Sequence, residues 1–305
     1  MRRTLCALLA ANAALAACAT VPASQVAAPA APAADPAVAA APQPPGRMQW
    51  LYGSGEGAAA SIQAYHAFRD FALAAAKARP RRSVVLLAGG ATAEPRFETC
   101  GNKPPAVVLD VDETVLLNLG YEYDEAVSGR SFSPERWAEW ERTGARMVAP
   151  VPGAVTTLRA LRQAGITVIF NSNREAVNAA GTIAALAGVG LGPAVPGDTL
   201  WLRGDAGGGS GKDLRRAAIS ARYCVVAMAG DQLGDFSDHF NASQYDIRTR
   251  RDVANSQPWA GLWGEGWFLI PNPVYGSGVR GGFDDVFPAD KRWPAAAAPA
   301  TQGDR

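Results

Sequence analysis

The chain has 305 residues, a formal net charge of +1, 48% hydrophobic and 19% charged residues. A near-neutral balance without a basic stripe argues against a nucleic acid duplex as partner. Residues 47–293, once the atypical ends are set aside, are enough for one α/β domain with an elaboration or for two small domains, and no internal repeat is present.

The N-terminus opens Met1-Arg2-Arg3, continues with an apolar stretch from Leu5 and ends in Leu15-Ala-Ala-Cys18. A basic start, a short apolar core and small residues read as a secretory signal over 1–17, too short to span a bilayer. The last four residues match the bacterial lipoprotein box, so Cys18 is the expected lipidation site and mature N-terminus. Ala19 follows, not an inner-membrane retention aspartate, which makes an outer-membrane lipoprotein facing periplasm or surface the expected location, held to the membrane through the lipid alone. From 18 to 46 the chain is mostly Ala, Pro, Val and Gln, a disordered tether. With Cys6 lost in the signal and Cys18 lipidated, Cys100 and Cys224 remain, in a compartment where a disulfide persists.

Next comes an Ala-rich helix over 58–77, then a segment, 84–100, with the look of an insertion. The run Ala106-Val-Val-Leu-Asp110-Val-Asp112-Glu-Thr114 is a buried strand that stops at two carboxylates spaced two apart. Ligands in open α/β sheets bind beyond the carboxyl ends of strands, so Asp110 is placed where chemistry can occur. A capping turn produces the same pattern, and the rest of the chain decides between them. An EF-hand loop is excluded, because Val115 stands where glycine is needed and Tyr121 where a bidentate glutamate is.

A helix over 133–142 starts on Ser133 as N-cap with Pro134 at its first position, and carries Trp137 and Trp140. Helix 153–164, strand 166–170, helix 174–187, a Gly-rich turn, helix 212–222 and strand 223–229 follow, and 294–305 is a flexible tail. This alternation predicts a doubly wound, mostly parallel Rossmann-like sheet with helices on both faces. Strand 166–170 leads into Asn171-Ser172-Asn173-Arg174, Lys212 opens a helix, and strand 223–229 leads into Gly230-Asp231-Gln-Leu-Gly-Asp235-Phe236. Side by side, these ends collect several carboxylates, a hydroxyl and one ammonium, a repulsion that a hard divalent cation relieves. The run Gly207 to Lys212 is not a nucleotide-binding P-loop, since Ala206 and Asp213 break the pattern.

The order D-x-D-x-T, Ser-Asn-Arg, Lys, G-D-x-L-x-D-F resembles the haloacid dehalogenase (HAD) superfamily. Trp137-Ala-Glu-Trp140, Val151-Pro-Gly-Ala154 and Leu269-Ile-Pro-Asn-Pro-Val-Tyr275-Gly276 are similar to the class C acid phosphatases of the lipoprotein e(P4) 5′-nucleotidase type, over roughly residues 48–293. The resemblance implies an HAD-type fold with a small, mainly helical cap, about 117–152 plus the N-terminal helix. It implies a phosphatase acting on a small-molecule phosphomonoester, a 5′-nucleotide above all, through an aspartyl-phosphate. Asp110 is then the nucleophile and Asp112 the general acid and base. Mg²⁺ is held by Asp110, the Asp112 carbonyl, Asp231 and Asp235, phosphate is bound by Ser172, Asn173 and Lys212, and the base is clamped by Trp137 and Tyr275. Arg174 either joins the site or makes a salt bridge at a helix start. The chain departs from the e(P4) pattern at Leu117, Gln232 and Gly234, where that pattern favours Asp, Asn and Asp.

A broad-specificity phosphatase or a phosphotransferase stays open on the same scaffold, and so does a non-enzymatic binding lipoprotein, though His66 and His239 have no partner at a ligand spacing. The superfamily places the strand ending at Asp110 beside that ending at Asp231, with Cys100 and Cys224 toward the opposite edge. Their registers differ by about three residues and a bridge needs Cα atoms within about 7 Å, so their pairing is open, as is the oligomeric state.

Overall fold

The computed structural model describes residues 43–87, 95–207 and 209–293. The signal, Cys18, most of the tether and the tail lie outside them. A one-turn helix α1 (Gly46–Met48) and a wider turn lead into α2 (Gly55–Ala78), whose N-cap Ser54 accepts from the Gly57 amide at 2.9 Å. Strands β1 (Arg82–Leu86) and β2 (Phe97–Thr99) form an antiparallel pair, followed by β3 (Pro105–Leu109). Then come β4 (Leu116–Leu117), α3 (Leu119–Ser128), α4 (Pro134–Thr143), β5 (Ala149–Pro150), α5 (Ala154–Gln163) and β6 (Thr167–Glu175). The remainder holds α6 (Ala179–Gly188), β7 (Leu200–Arg203), α7 (Asp213–Arg222), β8 (Cys224–Gly230), α8 (Ile247–Asn255) and β9 (Trp267–Leu269).

Five strands make one parallel sheet in the order β7-β6-β3-β8-β9. Side chains alternate across β3, so Val107 and Leu109 join one core while Ala106 and Val108 join the other, which is why this strand is an unbroken apolar run. The first core is closed by Tyr65, Phe68 and Ala72 of α2, Leu158 and Leu161 of α5, and Leu186 of α6. Helix α2, grouped with the cap in the sequence reading, lies along the sheet, where Phe68 meets Phe268 edge-on at 5.5 Å. The second core is closed by Ile219 of α7, Val85 and Leu86 of β1, and a knot of aromatics in which Trp267 stacks on Phe236 at 5.4 Å and on Trp259 at 6.0 Å.

The segment with the look of an insertion is therefore part of the fold: β1 covers the sheet, Ser83 donates to the Val225 carbonyl at 2.9 Å and Trp267 to that of Val84 at 2.9 Å. The cap, leaving the sheet after β3 and returning before α5, is α3 and α4 closed by the β4–β5 pair. Helix α4 begins as its sequence predicts, Ser133 accepting from the Arg136 amide at 3.2 Å with Pro134 in the first turn. The helix expected from 174 begins only at Ala179: β6 continues to Glu175, which pairs with Arg203 of β7. An alanine-rich helical pattern hides that boundary, which is set by strand pairing.

Cys100 and Cys224 are bridged, with Cα atoms 4.5 Å apart. Counting along β3 and β8 alone misses this geometry. Cys100 belongs to the β1–β2 hairpin, its amide bonded to the Arg81 carbonyl at 2.9 Å, while the Cys224 amide bonds to the Pro104 carbonyl at 2.9 Å. The link spans 124 residues, a loop long enough for the entropy of the unfolded chain to make the bridge worth about 4–5 kcal/mol. Reduction is expected to lower the melting temperature by roughly 8–20 °C, and the denatured, unreduced domain from residue 43 onward to have no titratable thiol. Two reactive thiols in that assay refute the bridge.

Candidate active site

The parallel order sets β6, β3 and β8 side by side with β3 in the middle, so the residues just past their ends converge. Leu109 is level with Phe170 and Ala229, and the Asp110 amide bonds to the Ala229 carbonyl at 3.0 Å. Asp110, Asp231 and Asp235 are all buried and offer oxygens within 4.8 Å of one another. Gly230 makes this possible, since a Cβ there would stand 2.3 Å from that of Asp235.

Lys212 enters the cluster from the start of α7. Its amide and that of Asp213 bond to the Asp238 carboxylate at 2.7 and 2.9 Å, which caps the helix from outside and aims the lysine. The Lys212 ammonium donates to Asp110 and, at 2.7 Å, to Asp235. Burial opposes its charge, but Asp110 and Asp235 outweigh burial and hold its pKa above the usual lysine value. Burial in turn drives the Asp110 carboxyl well above the usual range, opposed by Lys212 and reinforced by Asp235, Asp231 and Asp112. Asp231 is pushed up to about 7 by burial and Asp235, against the amide donors of Asn272 (2.8 Å) and Gln232 (2.9 Å). Three carboxylates thus face one ammonium, and the donor set is all oxygen. A hard divalent cation fits that set.

Asp112 is placed differently. Its carboxylate accepts from Arg174 at Nε (2.9 Å) and Nη2 (2.7 Å) and from the Asn118 amide at 2.9 Å, and its side chain stands outside the cation-ready group. Arg174 is the second-to-last residue of β6, buried, and not at a helix start. Burial works against its charge and Asp112 more than offsets burial, so its pKa stays raised. Asn118 is fixed in turn, its oxygen accepting from Trp140 Nε1 and Arg174 Nη2, both at 2.9 Å.

Ser172 is buried beside this pair, its Oγ accepting from the Arg174 amide at 3.1 Å and reaching Asp112 at 3.4 Å. Asn173 is exposed, and its side-chain oxygen accepts from Arg215 at 2.5 Å, while the same guanidinium donates to the Ser172 carbonyl. Trp137 is half-buried, edge-on to Tyr121 at 5.0 Å, with the Arg174 guanidinium 5.8 Å from its ring. Tyr275, also half-buried, donates its hydroxyl to Glu113. Glu113 is fully buried and pushed up to about 8 by burial and by Asp112.

Sequence reading missed Glu113, Asn118, Asp238, Arg215 and Asn272, each significant only through what folding brings to it. Departures from the e(P4) pattern also find their places. Gln232 bridges Asp231 to the C-terminal turn, its Oε1 accepting from the Ser277 amide at 3.2 Å, and Gly276 (φ 100) lets that turn pass against it. At Gly234 a Cβ would stand 2.2 Å from the Asn241 side chain, and Leu117 is buried in the β4–β5 pair.

The family model described as HAD superfamily, subfamily IIIB (Acid phosphatase) matches residues 69–278. Among solved structures, the Class C acid phosphatase from Bacillus anthracis is 27% identical over 76% of this chain and 84% of that one, with a TM-score of 0.61. The Class C acid phosphatase from Bacillus anthracis with tungstate bound is 26% identical over the same shares, with a TM-score of 0.61.

Because Arg174 and Asp112 form a buried ion pair, Arg174→Met is expected to cost about 3–5 kcal/mol in urea unfolding, and Arg174→Lys less, since charge is kept and the fork lost. An unchanged unfolding midpoint for the methionine variant refutes the pairing.

Proposed function

The chain belongs to the acid phosphatases of HAD subfamily IIIB, phosphoric monoester hydrolases, and from that premise we propose that it is a Mg²⁺-dependent 5′-nucleotidase working through an aspartyl-phosphate. The observation that carries this reading is Asp110 at the end of the central strand, buried among Asp231, Asp235 and Lys212, with Asp112 separately held two residues on. Asp110, Asp231 and Asp235 would hold the cation together with the Asp112 carbonyl. Bound there, Mg²⁺ supplies neutralisation of the clustered carboxylates and of phosphoryl charge.

An Asp110 oxygen attacks phosphorus in line with the ester oxygen. The P–O ester bond breaks as the new one forms, and Asp112 gives its proton to the departing alkoxide. Asp112, now a carboxylate aligned by Arg174 and Asn118, takes a proton from the water that attacks the aspartyl-phosphate, releasing inorganic phosphate and restoring both acids. Lys212, Ser172 and the backbone at Asn173 donate to phosphoryl oxygens as charge develops on them. The tungstate of the Bacillus anthracis relative is a tetrahedral oxyanion of phosphate's shape, in keeping with such a cradle. Trp137 and Tyr275, each joined to the catalytic shell through Arg174 or Glu113, are the proposed clamp on the nucleobase.

Phosphate release from a panel of 5′-nucleotides, 3′-nucleotides, sugar phosphates and aryl phosphates tests this reading. Activity is expected to favour 5′-nucleotides, to vanish with EDTA and to return with Mg²⁺; Asp110→Asn should fold and lose about three orders of magnitude or more. Retention of a few per cent in the metal-replete variant rejects the nucleophile. Trp137→Ala and Tyr275→Ala should each raise KM for a nucleoside monophosphate roughly five- to 150-fold, the range of base stacking energies, with far less effect on a small ester.

The lipoprotein box at Cys18 supports an outer-membrane anchor with the domain held off the bilayer by the tether. Cys18→Ser should yield unprocessed or soluble protein, and an unmodified residue at the mature N-terminus in mass spectrometry refutes lipid attachment.

A further inference from the structure

Glu113 has no assigned part in the reaction, yet four features single it out. Its backbone is left-handed, with φ 51, a region that disfavours any residue with a Cβ and suits glycine. Its side chain is 0% exposed, so a glutamate is kept where both backbone and solvation oppose it. Its carboxyl group receives donors from two distant parts of the chain, the Tyr52 hydroxyl at 3.3 Å and the Tyr275 hydroxyl, and from the nearby Asn118 backbone amide at 2.8 Å. Finally, Asn118 also donates to Asp112, so the same contacts reach the acid–base group.

From this convergence we infer that Glu113 is a specificity-determining positioning residue, the clasp that fixes Tyr275 and Tyr52 against the catalytic loop so that the leaving group meets a rigid aromatic wall. The inference rests on the nucleotide reading above. Glycine would relax the backbone and leave the Tyr275 hydroxyl without its partner, the ring then held by its packing against the core and the Gln232 contact to its carbonyl at 3.4 Å. A wall held to the loop that carries Asp110 and Asp112 keeps a constant distance from the phosphorus atom, and a free one does not. Binding of a nucleoside group then pays for ordering the ring in each encounter. Glu113 touches no reacting atom, so its loss should be felt in KM for large leaving groups more than in the chemical step.

The test measures KM and kcat of the full-length enzyme with Mg²⁺, for a 5′-nucleoside monophosphate and a small alkyl phosphate, in wild type, Glu113→Gln, Tyr275→Phe, Tyr52→Phe and the Glu113→Gln/Tyr275→Phe double variant. The glutamine keeps the volume and gives one oxygen in place of two, and each phenylalanine removes a single hydroxyl. The ratio of nucleotide KM to alkyl phosphate KM is expected to rise roughly tenfold in Glu113→Gln and in Tyr275→Phe, about the worth of one buried hydrogen bond. Tyr52→Phe should move it less, and the double variant no further than the worse single one. An unmoved ratio in folded Glu113→Gln, or effects that multiply in the double variant, overturns the inference. If Glu113→Gln does not fold, the two phenylalanine variants decide, and an unmoved ratio in both overturns it. A wild type without nucleotide preference sinks the nucleotide reading and this inference together, whereas preference with an unmoved variant ratio sinks the inference alone.

Discussion

Three buried carboxylates answered by one ammonium is the constraint on which the rest of this structure depends. Asp110, Asp231 and Asp235 share Lys212, and charge is left over. Such an arrangement is expensive in a folded chain and survives only where the surroundings hold each group in place. Asp238 caps α7 so that the lysine points inward, and Arg216 ties α7 to the carbonyls of Gly234 (3.1 Å) and Asp235 (2.8 Å). Gly230 clears the space Asp235 occupies. The three carboxylates form an all-oxygen group that could hold a metal ion, which would answer the charge Lys212 leaves over.

The second carboxylate of the strand end is managed by the opposite method. Asp112 has a guanidinium of its own, Arg174, and an amide of its own, Asn118, so it can act on protons without competing for the shared ammonium. Two acids two residues apart would share a face if the strand ran on; they have two environments because the chain turns after β3 ends at Leu109, with Glu113 left-handed at φ 51. In the mechanism proposed above, that separation is what divides the labour between nucleophile and proton carrier.

Much of this was legible in the sequence, and the boundary is physical. Strand ends could be read because both faces of the sheet are apolar, which makes β3 and β8 continuous hydrophobic runs that stop at their acids. Residues whose role comes from long-range convergence could not be. Glu113 lies between two motif positions and shows nothing of itself until Tyr52 and Tyr275 arrive from opposite ends of the chain. Arg174 looked like a helix start because alanines follow it, whereas pairing of β6 with β7 carries the strand past it. The disulfide was obscured because counting registers along β3 and β8 left the cysteines about three residues out of step, while Cys100 follows a hairpin that had the look of an insertion.

The closure of the cap has a consequence for how such a protein can change over time. Leu116 pairs with Pro150 and Leu117 with Ala149, so the chain departs from the sheet and returns to it at one point. The stretch from 118 to 148 is an excursion whose two ends touch, and its α4 packs closely on α6, where a Cβ on Gly181 would stand 1.9 Å from the Glu141 carbonyl oxygen. Several side chains bind this stretch to the site: Asn118, which bonds Asp112, Glu113 and Arg174, Trp137 beside the Arg174 guanidinium, and Glu141, which accepts from the Glu175 amide at 3.1 Å and from Asn178 at 2.7 Å. A lineage that preserves those anchors is free to rebuild the roof over the site, and so to change what it admits, while inheriting the reaction intact.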